Sequence, residues 1–585
     1  MGDYSDLSDA VQTCRSREPP PTCSGSPGSR DRASTFDRRE LPAKYACRGA
    51  ALDAPCSRGG RAKAARGPVI GKSIYLINPR NRIPSYYSGE AFERSGLRPA
   101  TTVADLAIVT VAALVPNDFE IALCDECVDP VDLSRRPDFV GLTGKSGQWP
   151  RMRELAAEFR ARGVCVIMGG PHVSLDPDLA RSHCDILVRG EIEDIAEGFF
   201  ADLRSGNWKR EYVGTKPDLS RSPLPRWDLY PNEKALSGTL QTSRGCPFDC
   251  EFCDVIEYLG RKQRHKNIPQ VLAELDELYR HGYRSAFLAD DNFTVYRART
   301  KELLAAIAEW NRRRTDGPMR FSTQVSIDAA GDEELLRMCA DAGLGQVFIG
   351  IETPNEEALR IAKKRQNLKR DLAAEILRFI EHGICVDAGM IVGFDGDDPG
   401  IFQRQYDFAT RCAVPVFSLY PLMAPRATPL FRRLQKAGRI LDEDALAAEG
   451  PAGWWTTNII PLGMSRAELR RGIQWLSRSL YSPEAFEARM TRFLDSFGAV
   501  HLSRLGARRS LDYRRVETDA VALAFRIGEL GSAEAAMVRR IFRRMEQCPE
   551  AAYGGVTALS HYAQIRHSYP AEGPLEAPAP LPSVA

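Results

Sequence analysis

Two apolar patterns alternate along the chain from about residue 67 onwards. Short runs of consecutive apolar residues are followed by longer stretches in which apolar residues recur every three or four positions. The first pattern is typical of strands that are buried on both faces of a parallel sheet, and the second is typical of amphipathic helices. The sequence therefore predicts an α/β protein built from parallel sheets.

Five of these runs, between residues 67 and 213, predict a doubly wound parallel sheet. They read SIYLIN, FEIALCD, FVGLTG, VCVIMGG and DILVRGE, and helical stretches such as WPRMRELAAEFRARG separate them. Doubly wound sheets bind ligands in the loops at the carboxyl ends of their strands. Small, polar or charged residues stand at or just after these ends: Thr143, Gly144, Gly169, Gly170, His172 and Glu191.

A second group of runs predicts a partial (β/α)6 barrel over residues 237–425. Residues 214–236 are rich in Pro and polar residues and read as a linker. Six runs follow the linker: GTLQTS, SAFLAD, FSTQVSI, QVFIGIE, DAGMIVGF and VFSLYPLM. A closed barrel needs eight strand–helix units, so this barrel should stay open. Residues 426–570 have helical periodicity and predict a mainly helical C-terminal domain.

The two ends of the chain have the composition of disordered segments. Residues 1–66 are rich in Arg, Ser, Pro and Gly without an apolar period, and residues 571–585 are rich in Pro and Ala. We expect a disordered leader and a disordered tail. The leader holds four irregularly spaced cysteines that are most simply incidental thiols: Cys14, Cys23, Cys47 and Cys56.

Charge and cysteine content narrow the class of protein. Lys and Arg number 79 against 77 Asp and Glu, so no overall field attracts nucleic acid. The longest apolar stretch, around residues 103–115, is too short to span a bilayer, and no basic segment followed by an apolar one opens the chain. These features predict a cytoplasmic protein. The 15 cysteines are an odd number and are scattered, which favours reduced thiols over a disulfide framework.

Three cysteines lie close together directly after the first predicted barrel strand. The stretch SRGCPFDCEFCDV contains Cys246, Cys250 and Cys253. Three thiolates on one loop can bind a cubane 4Fe-4S cluster and leave its fourth iron without a protein ligand. Structural zinc needs four ligands, and here the nearest candidate for the fourth is His265. Ligand number favours the cluster and leaves the zinc site open as an alternative.

The cysteine motif and its surroundings resemble a known family. CPFDCEFC has the CxxxCxxC spacing, with an aromatic residue before the last Cys, that marks the radical S-adenosylmethionine (SAM) superfamily. Residues 67–213 resemble a flavodoxin-like cobalamin-binding domain, so the chain as a whole resembles the cobalamin-dependent radical SAM family. The stretches GIETPNEEALRIAKKRQN, MIVGFDGDDPGIFQRQYDF and APRATPLFRRLQKAGRI are similar to the branch that includes the hopanoid methylases. The resemblance extends over residues 72–497.

This resemblance implies roles for residues of the barrel. The three cysteines would ligate a 4Fe-4S cluster whose open iron takes SAM, and Phe252 would lie against the adenine. The second and third strands would hold the methionine amine, the ribose and the carboxylate of SAM through Asp290, Asp291, Asn292, Gln324 and Ser326. Backbone would approach SAM at Gly350, Glu352, Gly389 and Gly393. Close packing would explain these glycines equally well.

In the cobalamin-binding domain the resemblance is incomplete. The double glycine Gly169-Gly170 follows Thr143 at a spacing like that of the family and would let backbone pass close to the nucleotide tail. The DxHxxG motif that supplies an axial histidine in many cobalamin proteins is absent, and DECVDP places Cys127 where His would stand. We therefore expect cobalamin to bind without a His ligand to cobalt. His172 is a candidate contact to the tail, with a purely local hydrogen bond as the alternative.

The resemblance implies a methyltransferase that moves a methyl group from SAM, through methylcobalamin, to an unactivated carbon of a lipid or natural-product intermediate. Two alternatives stay open: a rearrangement, cyclisation or oxidation with the same cofactors, and a non-catalytic zinc-binding regulatory protein. An electron donor such as flavodoxin or ferredoxin would be needed. Candidate pocket residues in the C-terminal region are Trp454, Trp455, Thr456, Thr457 and Asn458.

Overall fold

A computed structural model of the chain describes residues 71–82, 85–442, 446, 455–498 and 514–568. The predicted leader and tail, with the four leader cysteines, lie outside these residues, and so does Trp454. The strands are β1 (Ser73–Asn78), β2 (Thr101–Val103), β3 (Glu120–Asp125), β4 (Phe139–Thr143), β5 (Cys165–Gly169), β6 (Ile186–Arg189), β7 (Glu211–Val213), β8 (Ala235–Leu240), β9 (Ser243–Arg244), β10 (Arg264–His265), β11 (Ser285–Leu288), β12 (Arg320–Val325), β13 (Leu344–Glu352), β14 (Cys385–Val392) and β15 (Phe417–Pro421).

Helices connect most of these strands and make up the C-terminal part of the chain. They are α1 (Glu90–Arg94), α2 (Leu106–Leu114), α3 (Trp149–Ala161), α4 (Pro171–Leu175), α5 (Pro177–Ala180), α6 (Ala196–Ser205), α7 (Val255–Tyr258), α8 (Ile268–Arg280), α9 (Arg297–Arg312), α10 (Glu333–Ala342), α11 (Glu356–Ile361), α12 (Leu372–Glu381), α13 (Ile401–Arg411), α14 (Pro429–Lys436), α15 (Arg466–Leu480), α16 (Pro483–Ser496), α17 (Arg515–Arg526), α18 (Ser532–Met545) and α19 (Ala552–Ser568).

The first sheet has the flavodoxin-like topology. Its six strands are parallel and run in the order β3-β1-β4-β5-β6-β7. Counted without β2, which belongs to the other sheet, this is the order 2-1-3-4-5 with one further strand at the edge. The order reverses at β1, which pairs with both β3 and β4, and this switch point is where such sheets bind ligands. The predicted doubly wound fold is confirmed.

The second sheet contains the six predicted barrel strands and one more. Its parallel strands run in the order β15-β14-β13-β12-β11-β8-β2, and the prediction of an open barrel is confirmed. The additional strand β2 lies ahead of most of the first sheet in sequence, and its Thr101 pairs with Ala235 while Val103 pairs with Ser237. β2 has three residues, TTV, which are too few to show a periodic pattern.

Residues 85–103 bridge the two edges of the open barrel. At one edge the Tyr86 hydroxyl donates to the Leu419 carbonyl of β15 over 3.2 Å, and the hydroxyls of Tyr87 and Ser418 lie 3.0 Å apart. At the other edge the same segment supplies β2, which pairs with β8. One stretch of chain therefore contacts β15 at one edge of the sheet and adds a strand beside β8 at the other.

The concave face of the second sheet is not filled with aliphatic side chains. On β13, Val347 and Ile349 are buried on the face that packs against helices, whereas Gln346 and Phe348 alternate with them and are partly exposed. On β12 the corresponding exposed position is Gln324. A closed barrel packs branched aliphatic residues at such positions. Here they are polar or aromatic, so the barrel has an accessible interior, called the lumen below.

The C-terminal region is helical, as predicted, and its last helix crosses the amino-terminal ends of the barrel strands. The ring of Tyr553 lies 5.1 Å from the Arg320 guanidinium at the start of β12. A Cβ atom on Gly554 would lie 2.5 Å from Sγ of Cys385 at the start of β14. Helix α19 therefore covers the end of the barrel opposite to the cysteine motif. Within the described ranges, no helix is long and apolar enough to cross a membrane.

Candidate active site between the two sheets

The cysteine loop, residues 245–253, is fixed by backbone hydrogen bonds at its start. Gly245 has φ +96°, and a Cβ atom there would lie 2.8 Å from the Gly260 carbonyl oxygen, so the turn requires glycine. Its N–H donates to Oδ2 of Asp291 over 2.8 Å, and the N–H of Cys246 donates to the Gly260 carbonyl over 3.1 Å. The end of β11 and the segment before β10 thus hold the loop in place.

The three cysteines are free thiols in a largely buried setting. Cys250 is buried, and Cys246 and Cys253 are partly buried. Burial raises the pKa of the Cys253 thiol to about 12 and also raises that of Cys246, and the neighbouring thiols contribute to both shifts. Thiols with raised pKa are poor nucleophiles, whereas bound iron would stabilise their thiolates. The set is therefore suited to metal ligation rather than to nucleophilic catalysis.

A buried cation, which the sequence alone did not single out, lies beside the cysteine loop. The ammonium group of Lys364 is 2.7 Å from Oε1 of Glu352, and both side chains are nearly inaccessible. Its pKa is raised because the attraction of Glu352, Cys250 and Cys253 outweighs the cost of burial. The neighbouring Gln366 donates to Sγ of Cys250 over 3.6 Å. One helix–turn segment after β13 therefore places positive charge and a donor next to the thiols.

The geometry gives no support to the zinc alternative. His265 lies on β10, where it pairs with Ser243 of β9, and its ring contacts Tyr296 at a centroid distance of 5.6 Å. In the part of the chain that the structure describes, no group of three or more His, Cys, Asp and Glu side chains is arranged to hold one metal ion. A cubane cluster does not need several side chains to converge on one metal ion, because each thiolate binds a different iron.

The predicted SAM contacts at the ends of the second and third barrel strands lie close together, but their side chains make different hydrogen bonds. Asp290 is buried and accepts hydrogen bonds from the Thr242 N–H, the Thr242 hydroxyl and the Ser243 hydroxyl over 2.5–2.7 Å. Its carboxylate is thus occupied in fixing the chain after β8. Burial raises the pKa of Asp291 to about 6.

The next two candidates are linked to each other. The Asn292 amide donates to the Ser326 hydroxyl, and Oδ1 of Asn292 is buried without a hydrogen-bond partner among the described residues. Gln324, on β12, has a side chain exposed to the lumen, and its backbone carbonyl accepts from the Phe293 N–H over 2.9 Å. Asp291, Asn292 and Gln324 therefore retain polar atoms for a ligand.

Local packing accounts for the glycines of the fourth and fifth barrel strands. A Cβ atom on Gly350 would lie 2.3 Å from Oε1 of Glu352, and one on Gly389 would lie 2.8 Å from the Phe348 ring. Gly393 has φ +99°, and its N–H donates to Asp397 over 2.9 Å. Glu352 itself has φ +64° at a bulge between β13 and β14, a conformation that is strained for a glutamate.

The aromatic residue of the motif, Phe252, is partly buried against apolar residues from the fifth strand onwards. Its ring lies 5.9 Å from that of Phe394, and the surrounding cluster includes Leu422 and Ile459. Of the candidate pocket residues, Thr457 donates to the Leu422 carbonyl, and the Asn458 amide binds both backbone groups of Ala424 over 2.8–2.9 Å. These two side chains therefore anchor the chain after β15.

At the carboxyl edge of the first sheet, the loops after β4 and β5 are in direct contact. Gly170 has φ +94°, and a Cβ atom there would lie 2.6 Å from Oγ1 of Thr143 and 3.1 Å from the Gly144 nitrogen. His172 Nδ1 lies 3.3 Å from the Ser146 hydroxyl, whereas its Nε2 is buried without a hydrogen-bond partner among the described residues. Burial lowers the pKa of His172, which keeps the ring neutral. His172 therefore makes the local hydrogen bond to Ser146, and its Nε2 stays available for a ligand.

Cys127, at the position where an axial histidine would stand, is partly buried. The Cys127 N–H donates to Oδ1 of Asp125 over 3.0 Å, and burial raises the pKa of the Cys127 thiol far above its usual range. Asp125 also accepts from Tyr230 over 2.5 Å and from Asn78 over 3.0 Å. The carboxylate after β3 is therefore part of a structural network, and no histidine replaces the missing ligand there.

The carboxyl edges of the two sheets face each other. Glu191, after β6, pairs with Arg244 directly before the cysteine loop and with Arg264 of β10, each over 2.6 Å. Helix α4, after the double glycine, contacts α7, which begins two residues after Cys253. The Tyr258 hydroxyl donates to the Gly190 carbonyl over 3.5 Å. Glu191, a predicted cofactor contact, thus has both carboxylate oxygens engaged between the domains.

Models of three protein families match the chain. The radical SAM superfamily matches residues 240–409, the B12 binding domain matches residues 97–200, and a domain of unknown function, DUF4070, matches residues 428–570. The chain is thus similar to radical SAM enzymes and to B12-binding domains in adjacent segments, which is the domain combination of the cobalamin-dependent radical SAM family. The cofactors of this family are a 4Fe-4S cluster, SAM and cobalamin, as expected from the cysteine motif and the first sheet.

The chain is also similar to curated relatives and to a solved structure. The chain is 38% identical over 347 residues to an uncharacterized methyltransferase of Synechocystis sp., covering 58% of this chain and 64% of the relative. It is 30% identical over 345 residues to the hopanoid C-2 methylase of Rhodopseudomonas palustris, covering 58% and 65%. Both alignments span slightly less than two thirds of the relative. The cobalamin-dependent SAM radical enzyme OxsB, with aqua-cobalamin and SAM bound, shares the fold at a TM-score of 0.54 and 15% identity, covering 85% of this chain and 80% of OxsB.

Proposed function

We propose that the protein is a methyltransferase that moves a methyl group from SAM, through cobalamin, to an unactivated carbon of a small-molecule or lipid substrate. The observation that carries this proposal is the apposition of the two carboxyl edges through Glu191, Arg244 and Arg264. Two cofactors can act on one substrate only if their sites share one space. Relatives named as a methyltransferase and as a methylase support methylation over other outcomes.

In this proposal the cysteine loop holds the cluster. Cys246, Cys250 and Cys253 would ligate three irons, and Lys364 would offset part of the added negative charge. When bound, the cluster supplies the electron that cleaves SAM reductively, and cobalamin supplies the methyl group. The protein positions the reactants and excludes water rather than providing acid–base groups.

SAM would be held by groups that still have free polar atoms. Asp291 and Asn292 lie at the end of β11 beside the cysteine loop and would receive the methionine part. Gln324 on β12 would contact the same methionine part. Glu352, at the end of β13, and Lys364, after it, would contact this part from the other side. Asp290 supports this arrangement from behind, because its oxygens are bonded to residues 242 and 243. Phe252 remains the candidate for contact with the adenine.

Cobalamin would lie at the edge formed by the loops after β4, β5 and β6. The unpartnered Nε2 of His172 offers one polar contact to the nucleotide tail, and the close approach of Gly170 to Thr143 shapes the wall of that edge. Cys127 is the residue in place of the axial histidine, and its raised pKa keeps the thiol protonated. We therefore propose that cobalt has no histidine ligand at this position.

The reaction needs one low-potential electron for each SAM that is cleaved. We include in the proposal a flavodoxin or ferredoxin as its source, since the chain carries one cysteine motif of this kind and no second cluster motif.

The deciding experiment uses SAM that is labelled with a trideuterated methyl group. The reconstituted protein is incubated anaerobically with a metabolite extract from cells of the source organism in which the gene has been deleted. A metabolite that gains the labelled methyl group, and does so only when Cys246 is present, supports the proposal. Cleavage of SAM together with loss of a metabolite and no labelled product would instead establish the non-methylating alternative.

A further inference from the structure

A cluster of polar and aromatic side chains lies at the amino-terminal end of the lumen, remote from the cysteine loop. The Gln346 amide donates to Oδ2 of Asp387 over 2.7 Å, and Nδ1 of His561 lies 3.7 Å from the same oxygen. Tyr87 meets the imidazole edge-on at 4.9 Å and the Phe348 ring at 6.1 Å. These five residues, called the floor below, come from two barrel strands, the bridging segment and helix α19.

The floor borders the part of the lumen that lies below the proposed SAM site. Gln346 and Phe348 lie on the concave face of β13, on the same side as Gly350. Asp387 precedes Gly389 by two residues on β14, which corresponds to about 7 Å along the strand. The ring of Phe348 lies where a side chain on Gly389 would otherwise be. The floor is thus the lower wall of the lumen rather than a separate cluster behind the sheet.

One atom of the floor has no partner. Nδ1 of His561 is buried and makes no hydrogen bond within the described part of the chain, since 3.7 Å to Asp387 is too long for one. Leaving a buried polar atom unsatisfied costs about 1–3 kcal/mol. The proposed reaction gives His561 and Asp387 no chemical role. A ligand group beside them would satisfy Nδ1 of His561 and could also bind the Asp387 carboxyl.

We propose that the floor binds the polar end of the substrate, and that this end is an uncharged hydroxyl on a ring body. The DUF4070 region would then be the part of the chain that reads the substrate, because it supplies His561 through α19. This inference rests on the proposed function, since it assumes that the lumen holds a substrate below SAM.

The chemistry of the floor favours this ligand class. A hydroxyl can donate to the Asp387 carboxyl and accept from an imidazole N–H at the same time, which neither a purely accepting nor a purely donating group can do. The buried, low-dielectric surroundings of the floor disfavour any unpaired charge on the ligand, including that of a carboxylate or a phosphate. The aromatic rings of Tyr87 and Phe348 suit a planar or apolar ring body.

The test uses ¹⁹F NMR with the full-length protein reconstituted with its cluster and cobalamin. The probes are 4-fluorobenzyl alcohol, 4-fluorotoluene, 4-fluorobenzylamine and 4-fluorobenzoate. We expect the alcohol to bind roughly three- to tenfold more tightly than each of the others, as one additional satisfied hydrogen bond implies. His561→Leu and, independently, Asp387→Leu should abolish the preference over 4-fluorotoluene. Ser322→Trp should remove binding of all probes by filling the lumen from β12.

Tyr562→Phe is the matched control. Tyr562 neighbours His561 on α19 but packs against Phe486, away from the floor, and its hydroxyl is also buried without a hydrogen-bond partner among the described residues. The preference for the alcohol should survive this change. An equal preference in His561→Leu, or tighter binding of the amine or the benzoate, would overturn the proposal. Because probe binding requires no SAM cleavage, failure of the methyl transfer itself would be seen separately.

Discussion

Glu191 and Arg244 form a buried ion pair, 2.6 Å between Oε2 and Nη1, that joins the first sheet to the residue before the cysteine loop. Glu193 also pairs with Arg244, and Arg264 pairs with the second oxygen of Glu191. A network of this kind restricts how the two sheets can be oriented. It fixes the loop after β6 relative to the three cysteines.

Replacing Arg244 by Gln should destabilise the protein by about 3–5 kcal/mol, because it leaves carboxylates buried without their main partner. The measurement is chemical denaturation, with Arg540→Gln as the control. Arg540 pairs with Glu487 at the surface, and its loss should cost less than about 1 kcal/mol. The double variant with Glu191→Gln should recover part of the loss. Equal, small effects of Arg244→Gln and Arg540→Gln would show that the interdomain network is not structurally important.

Loss of any one motif cysteine should abolish assembly of the cluster. We expect Cys246→Ala, Cys250→Ala and Cys253→Ala to lose the brown iron–sulfur absorption and most of the bound iron after anaerobic reconstitution. The matched control is Cys339→Ala, a buried cysteine of α10 outside the motif, which should keep both. Zinc in place of iron in the unaltered protein would contradict the assignment.

The Lys364–Glu352 pair should tune the potential of the cluster in opposite directions. Glu352→Gln leaves a buried cation beside Cys250 and should raise the reduction potential, while Lys364→Met leaves a buried carboxyl and should lower it. The expected shifts are on the order of tens of millivolts, given partial screening of each charge. Redox titration followed by EPR measures them. Shifts of the same sign in both variants would rule out an electrostatic role for the pair.

The contribution of Asp387 and His561 to the free energy of unfolding should not change between about pH 4.5 and 6.5. Burial raises the pKa of Asp387 to about 7 and lowers that of His561 to about 4 from its ordinary 6.5. In this range the folded state carries one proton on Asp387, and the unfolded state carries one on histidine, so the proton counts match. Tyr87, which contacts the pair, has its pKa raised well above 10 and stays neutral.

Asp387→Asn removes that balance. In the folded variant the asparagine at position 387 does not titrate and the His561 ring stays neutral, whereas the same histidine in the unfolded chain gains a proton below pH 6.5. Stability relative to the unaltered protein should fall by about 1.4 kcal/mol for each pH unit of acidification. Urea denaturation at several pH values measures this slope. Parallel pH profiles for the two proteins would contradict the pKa assignments.

Sequence patterns predicted both sheets because buried parallel strands are continuous apolar runs, as in VCVIMGG and QVFIGIE. They did not predict β2, which is too short to show a period, nor that residues 85–103 bridge the open barrel through single hydroxyl contacts of Tyr86 and Tyr87. Such contacts depend on tertiary structure and leave no local signature.

For the site, the spacing of the cysteines predicts a set of cluster ligands, because ligands on one loop are close in sequence. Lys364, Arg244 and Arg264 were missed, since a buried basic residue has the same sequence appearance as a solvated one. The signal that could have found Arg244 is its position directly before the motif, combined with the acidic pair Glu191 and Glu193 at a strand end.

The central claim is that cobalamin and the cluster occupy one site between the facing carboxyl edges. Its most direct test is EPR of the protein loaded with cob(II)alamin and the reduced cluster. Two paramagnetic centres that share a site interact, so we predict spin–spin splitting or broadening of the cob(II)alamin signal that disappears in Cys246→Ala. An unperturbed cob(II)alamin signal in fully loaded, fully reduced protein would contradict the claim.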